Sequence, residues 1–257
     1  MFGTYFYNKN IRNIVILFGT IFNDISIRRV NSSNVVQEEI KVPIAYGPSE
    51  KFLVRLREAT DISKGKIGLT LPRMSFEFTA ITYDPTRKLV TGKQFKKAHA
   101  TDHTKLTRIF TPTPYNFDFN LSIMVKNSDD GTQILEQILP YFAPAYSVTM
   151  NESSSMDIKR DIPVIFTGLT TEDTHEGDFL ARRALIHTLT FTVQGFLYGP
   201  TADIGIIKEV DIAKYDETTQ AALPSANRTK ASNTDIKPDP TTADVEDDFG
   251  YTTTYTE

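Results

Sequence analysis

One stretch constrains this chain more than any other. Residues 115–146 read YNFDFNLSIMVKNSDDGTQILEQILPYFAPAY. Phe117, Phe119, Leu121, Ile123 and Val125 recur every second residue, which predicts a strand over 115–126 with one apolar face. Asn127, Ser128, Asp129 and Asp130 then supply turn and helix-cap chemistry. Ile134, Leu135, Ile138 and Leu139 follow at spacings of three and four, the mark of a short amphipathic helix, and Pro140 and Pro144 bound its exit. The unit reads as a sheet edge and the helix that covers it, with a return to extended chain at Tyr146.

The remaining segments read as strands added to that unit. The chain begins with an aromatic arm, in which Phe2, Tyr5, Phe6 and Tyr7 pack either under their own sheet or on a neighbouring subunit. Asn10–Phe22 carries a broad apolar face at helical spacing, with Asn10 as the expected cap. Two alternating runs, Asp24–Val30 and Val35–Val42, flank an Asn-Ser-Ser-Asn turn and predict a hairpin. A short helix over 50–58 presents Phe52, Leu53 and Leu56. Further strands are expected over 71–83, 157–167 and 183–197, with a short one inside 201–210. Pro163 places a sheet edge or bulge in the second of these long strands. Strands outweigh helices, and hairpins fit the spacing better than repeated strand-helix-strand units. The expected class is α+β, a mainly antiparallel sheet flanked by a few helices, with extended loops and an acidic C-terminal tail.

Two segments stand apart from this pattern. Residues 84–113 form a long excursion, poor in apolar residues, that carries Arg87, Lys88, Lys93, Lys96, Lys97, Lys105 and Arg108. So long a loop within a compact domain usually has a use. Residues 211–257 hold ten acidic and four basic side chains among Thr, Asp, Pro and Ala, whereas the whole chain has a net charge of −4. The organisation expected is one domain over 1–210, including the excursion, and a tail over 211–257 that is flexible or ordered by a partner.

The composition closes several functional classes. Cysteine is absent, which excludes disulfides and thiolate metal sites. No apolar run approaches the roughly 20 residues that a membrane helix needs, and no signal-peptide pattern opens the sequence. The histidines are His99, His103, His175 and His187. His99 and His103 are four apart but lack the intervening glutamate of a zinc-protease helix. His187 lies in an apolar strand and reads as a packed or hydrogen-bonded residue. Gly65-Lys66 and Gly92-Lys93 lack the flanking residues of a phosphate-binding loop. No catalytic residue, cofactor site or metal site is assigned. The basic stretch 87–108 has three readings: a solvated loop, a nucleic-acid contact or a contact with an acidic protein surface.

Several segments together carry a family likeness. They are MFGTYFYN at the start, Lys41–Tyr46, Leu71-Pro72-Arg73, Glu136–Pro144, Lys159–Ile162, and Gly177–Arg183 with the strand through Leu189-Thr190-Phe191. In order and spacing over residues 1–200 the chain resembles the tail sheath stabiliser and completion proteins, or tail terminators, of T4-like contractile-tailed phages. The likeness fades in 84–113 and is negligible in the acidic tail. It implies a virion structural protein with no reaction of its own, present in the host cytoplasm during assembly. Six copies would form a ring at the head-proximal end of the tail. The implied partners are the tail tube protein, the tail sheath protein and the neck proteins of the head, with genomic DNA passing through the channel unbound and no membrane involved. A closed ring needs two different surfaces on each subunit. Phe2, Tyr5, Phe6, Lys96, Lys97, Arg160, Arg182 and Arg183 are the candidates for such contacts, and one of Arg182 and Arg183 is expected to form a buried or interfacial ion pair. Ile134, Leu135, Ile138, Leu139, Pro140 and Pro144 are assigned to the core helix and its exit. The alternatives are another connector or baseplate protein, a nucleic-acid-binding module using 87–108, and a hydrolase with an unrecognised carboxylate site.

Overall fold

A computed structural model describes residues 5–31, 33, 35–57, 70–99, 101–102, 104–153, 156–174, 184–215, 230–243 and 247–256. The chain forms two compact units, one from residues 1–89 and 112–198 and the other from 90–111 and 199–257. These boundaries differ from the division expected at 210. Residues 84–89 and 112–113 of the excursion belong to the first unit, and the rest of it shares a unit with the acidic tail.

The first unit is built on a six-stranded sheet. Its strands are β3 (Ile44–Tyr46), β4 (Arg73–Tyr83), β7 (Thr113–Val125), β8 (Ala145–Ser153), β9 (Ile158–Thr174) and β10 (Ala184–Leu197), in the order β3-β4-β7-β10-β9-β8. All neighbours run antiparallel except β3 and β4. The alternation of β7 is real, but β7 is an interior strand. It pairs along its length with β4 and β10, and β8 takes the edge. The reason is non-local: β10 is as alternating as β7 and nearly matches it in length, and it reaches β7 only after the chain has passed through β8 and β9.

Helix α1 (Asn10–Ile21), helix α3 (Ser128–Ile138) and the hairpin of β1 (Ser26–Val30) and β2 (Val36–Lys41) cover one face of this sheet. Ile14, Phe18 and Phe22 descend onto Phe119, Phe191 and Val193, all buried. The Phe18 ring stacks on Phe119 at 4.5 Å between centroids. Gly195 lets α1 come this close, because a Cβ there would sit 2.8 Å from Ile14 and 2.9 Å from the Phe117 ring. Gly19 does the same against Phe76. Helix α3 buries Ile134 and Ile138, and Leu135 and Leu139 pack beside them. A 3-10 turn over Leu139–Tyr141 then leaves Pro140 and Pro144 at the surface.

The opposite face is polar along its middle. Thr192 donates to Asp118 and Arg87 to Asn116. Helix α2 (Ser49–Arg57) covers one end, where Phe52 packs with Met124 and Ile186. The side chain of Leu56 lies outside the described residues. Pro163 sits where β9 has left β10 and pairs only with Ser147 of β8, so its missing N–H costs no bond to β10.

The second unit holds two three-stranded antiparallel sheets. One has the order β11-β6-β5, from β5 (Gln94–Ala98), β6 (Lys105–Phe110) and β11 (Ala202–Gly205). The other has the order β12-β13-β14, from β12 (Val210–Tyr215), β13 (Lys230–Asp239) and β14 (Gly250–Thr256). The fold class is therefore α+β with mostly antiparallel sheet, and strand pairing extends well into the C-terminal tail.

Candidate interface surfaces

The start of α1 is tied to the sheet by polar side chains. Asn10, expected as a cap, is instead the first helical residue and is buried, while Lys9 takes the cap position with φ 58°. Asn8 Nδ2 donates to the Tyr198 carbonyl at 3.0 Å. With its amide oriented to suit its neighbours, Asn10 Nδ2 donates to the carbonyls of Glu152 (2.7 Å) and Asn8 (3.0 Å). Glu152, at the end of β8, has a fully buried side chain. Its Oε2 accepts from Tyr198 Oη at 2.8 Å and pairs with Arg160 Nε at 3.2 Å.

Arg160 also lies over the Phe196 ring, 4.2 Å from its centroid. Arg87 approaches the same ring at 5.2 Å. Arg87 pairs with Asp84 at 2.7 Å and donates to Asn116 Oδ1 at 2.6 Å. It is therefore not a free cation of the basic loop. Hydrogen bonds from Arg87 and Thr86 hold Asp84 well below the usual carboxylate range. Burial pushes the Glu152 carboxyl up, against the pull of Tyr198 and Arg160, and burial beside Glu152 pushes the Tyr198 phenol up.

The predicted contact residues fall into separate groups. Tyr5 and Phe6 are exposed, Tyr5 at 90%. Lys96 and Lys97 are exposed on β5, at the edge of its sheet. Arg160 belongs to the cluster just described. Phe2, Arg182 and Arg183 lie outside the described residues, as do His103 and His175. Sequence reasoning passes over Glu152 and Tyr198, because nothing local distinguishes a glutamate in a polar run or a tyrosine beside Gly-Pro. His187 is buried, its Nδ1 lies 2.9 Å from Thr171 Oγ1, and burial lowers its pKa. Its ring abuts Gly131 of α3, where a Cβ would come within 2.6 Å of Nε2. It is a packing residue. Among the described residues no three His, Asp or Glu side chains group as metal ligands.

The second unit gathers opposite charges. Residues 90–111 carry five basic and one acidic side chain, and 199–257 carry twelve acidic and five basic. Asp203 accepts from Thr107 at 2.9 Å and lies 3.8 Å from His99. Lys105 pairs with Asp102 at 2.8 Å, which lowers the pKa of Asp102 and raises that of Lys105. In the β12-β13-β14 sheet the register puts Val210, Ile212, Ile236, Pro238, Tyr251 and Tyr255 on one face. Tyr251 and Tyr255 are each 76% exposed and Val210 and Ile212 are exposed as well, so this apolar face is open except at Pro238, which is buried.

Two comparisons place the chain among known proteins. Residues 5–257 match the family model of the T4-like virus Myoviridae tail sheath stabiliser. The chain is also similar to the tail completion protein gp15 of Enterobacteria phage T4, 34% identical over 216 residues that span 81% of this chain and 77% of that protein. The family match runs through both units, including the basic hairpin, where the likeness of the sequence segments fades, and the acidic tail, where it is negligible. The chain belongs to the tail sheath stabiliser family of T4-like Myoviridae viruses.

Proposed function

We propose that this protein is a structural component of a contractile virus tail, acting where the tail meets the neck of the head. Six copies close into a ring at the head-proximal end of the tail. The ring caps the tube, holds the last sheath ring in its extended state and presents a surface to the neck. It performs no reaction, and DNA passes through its channel unbound. The observation that carries this reading is family membership over residues 5–257, joined by identity to a tail completion protein over most of both chains.

The surfaces fit the role. A closing ring needs two unlike faces per subunit, and the first unit offers an exposed aromatic arm and, among the described residues, a free sheet edge at β8. The open apolar face of β12-β13-β14 and the exposed Lys96 and Lys97 are surfaces for unlike neighbours, the tube, sheath and neck proteins. A nucleic-acid module using 87–108 is less favoured. Arg87 is committed to Asp84 and Asn116, and the acidic side chains of 199–257 outnumber the cations of the loop that shares their unit. Electron microscopy of purified particles, with this chain located in the density, tests the proposal. Six copies at the junction of tail and neck are expected. Copies confined to the baseplate, or none in the particle, would overturn it.

A further inference from the structure

A groove runs along the outer side of the first unit, between α1 and the edge strand β8. Ile16, Leu17, Ile21, Tyr146, Val148 and Met150 line one part of it. It continues past Ile21 and Tyr146 into an open hollow of about 610 Å³ whose lining includes Phe22, Ile138 and Phe142 together with Asp24 and Glu136. Ile16 is 54% exposed and Tyr146 39%. Among the described residues β8 has a strand partner only in β9, so its other side offers backbone groups to an added strand.

The same chain carries a segment suited to fill that groove. Tyr5, Phe6 and Tyr7 are 90%, 50% and 58% exposed, a run of aromatic surface with no cover among the described residues. The base of this arm is fixed. Asn8 is bonded to Tyr198, Asn10 is buried beside Glu152, and Lys9 is held in a left-handed conformation. That backbone conformation costs a residue with a side chain about 1 kcal/mol, and here it sets the direction in which the arm leaves. An arm aimed by its base loses less freedom on docking than a loose tail does.

We infer that the 5–7 arm of one copy lies in the α1/β8 groove of the next, adding a short extended segment beside β8. Tyr5 and Tyr7, two residues apart, then share the face that looks into the groove, on Ile16, Leu17 and Ile21. The exposed Lys9 at the arm's base meets the end of the groove where Glu136 is exposed, which gives the contact a charge match and a direction; Asp24 there is already paired with Lys41 of its own subunit at 2.8 Å. Arm and groove are different surfaces of one subunit, so the contact is head-to-tail and repeats around a ring. The inference rests on the ring reading above and names the contact that closes it.

The absence of native cysteine makes a direct test available. A Tyr5→Cys/Ile16→Cys double variant is assembled into particles, treated with a short bismaleimide and run on a denaturing gel, and the same particles are imaged. Inter-chain products at successive multiples of the chain mass are expected, with neither single variant producing them. Products together with rings support both readings. Products without closed rings keep the arm contact and overturn the ring. Rings with only monomer, with a bridge inside one chain, or with a bridge from either introduced thiol to another tail protein overturn the arm contact. Neither rings nor products overturn both. A Tyr5→Ser/Tyr7→Ser variant is expected to keep the wild-type melting curve and to lose ring occupancy on the tail by about tenfold or more. Unchanged occupancy overturns the inference.

Discussion

At the scale of single residues, a buried carboxylate decides the most. Glu152 is shut off from solvent, and its Oε2 depends on Arg160 and Tyr198. Removing one partner of a buried pair leaves a charge without compensation. Arg160→Ala should cost about 3 kcal/mol, the low end for such a break because Arg160 itself is partly exposed; urea unfolding of the variant measures it. Arg160→Lys, which keeps the charge but loses the planar contact with Phe196, should cost less. His187 gives a pH dependence of known sign. Its folded pKa lies below the ordinary 6.5, so the unfolded chain binds more protons as pH falls through that value, and its contribution to stability should decline from about pH 7.5 toward about 5.5. Glu152 acts oppositely. Its folded pKa lies above the ordinary 4.5, so as pH is lowered toward that value the folded chain takes up the proton first, which relieves the burial of the charge. The informative measurement is therefore the urea midpoint of wild type minus that of His187→Leu, which should fall as pH is lowered over this range. Arg160 can be named from the sequence as a candidate contact residue. Its acid cannot, because Glu152 comes into reach only when β8 and β9 pair in the register Met150 to Arg160.

At the scale of elements, periodicity is a good guide to what forms and a poor one to what pairs. The apolar spacings of α1, α3, β7 and β10 are local properties, and these elements form close to where the patterns run. Strand order is set by contacts between residues far apart, so β7 reads as an edge although it lies third in the sheet. The tail misleads for another reason. Its strands are held by backbone pairing and leave many of their side chains exposed, whereas sequence reading weighs apolar burial. The seat of α1 on the sheet is the best place to probe element packing. Gly195→Ala would force its Cβ against Ile14 and Phe117, with an expected loss of about 1–3 kcal/mol. Phe18→Ala removes a ring stacked on Phe119 and should cost about 3–5 kcal/mol. Calorimetric melts of both variants check these values. A wild-type melting temperature for Gly195→Ala would mean that α1 can lift away from the sheet.

At the scale of the whole molecule, the chain passes from the first unit to the second and back before it leaves for good after Tyr198. The hydroxyl of Thr111 donates to the Val90 carbonyl at 3.0 Å, so the insertion begins and ends at one point. A variant with 91–110 replaced by a short Gly-Ser turn and 199–257 removed should therefore still melt as one cooperative transition, since the core of Phe18, Phe119 and Phe191 lies wholly within the first unit. Loss of cooperativity in differential scanning calorimetry would show that the first unit depends on the second. The interrupted path also imposes an order in time. The β5–β6 hairpin emerges from the ribosome early, yet its third strand, β11, begins 92 residues after β6 ends. At about 5–20 residues per second, the hairpin waits several seconds with one edge open, and β12, β13 and β14 come later still. A half-made chain thus carries no complete second unit.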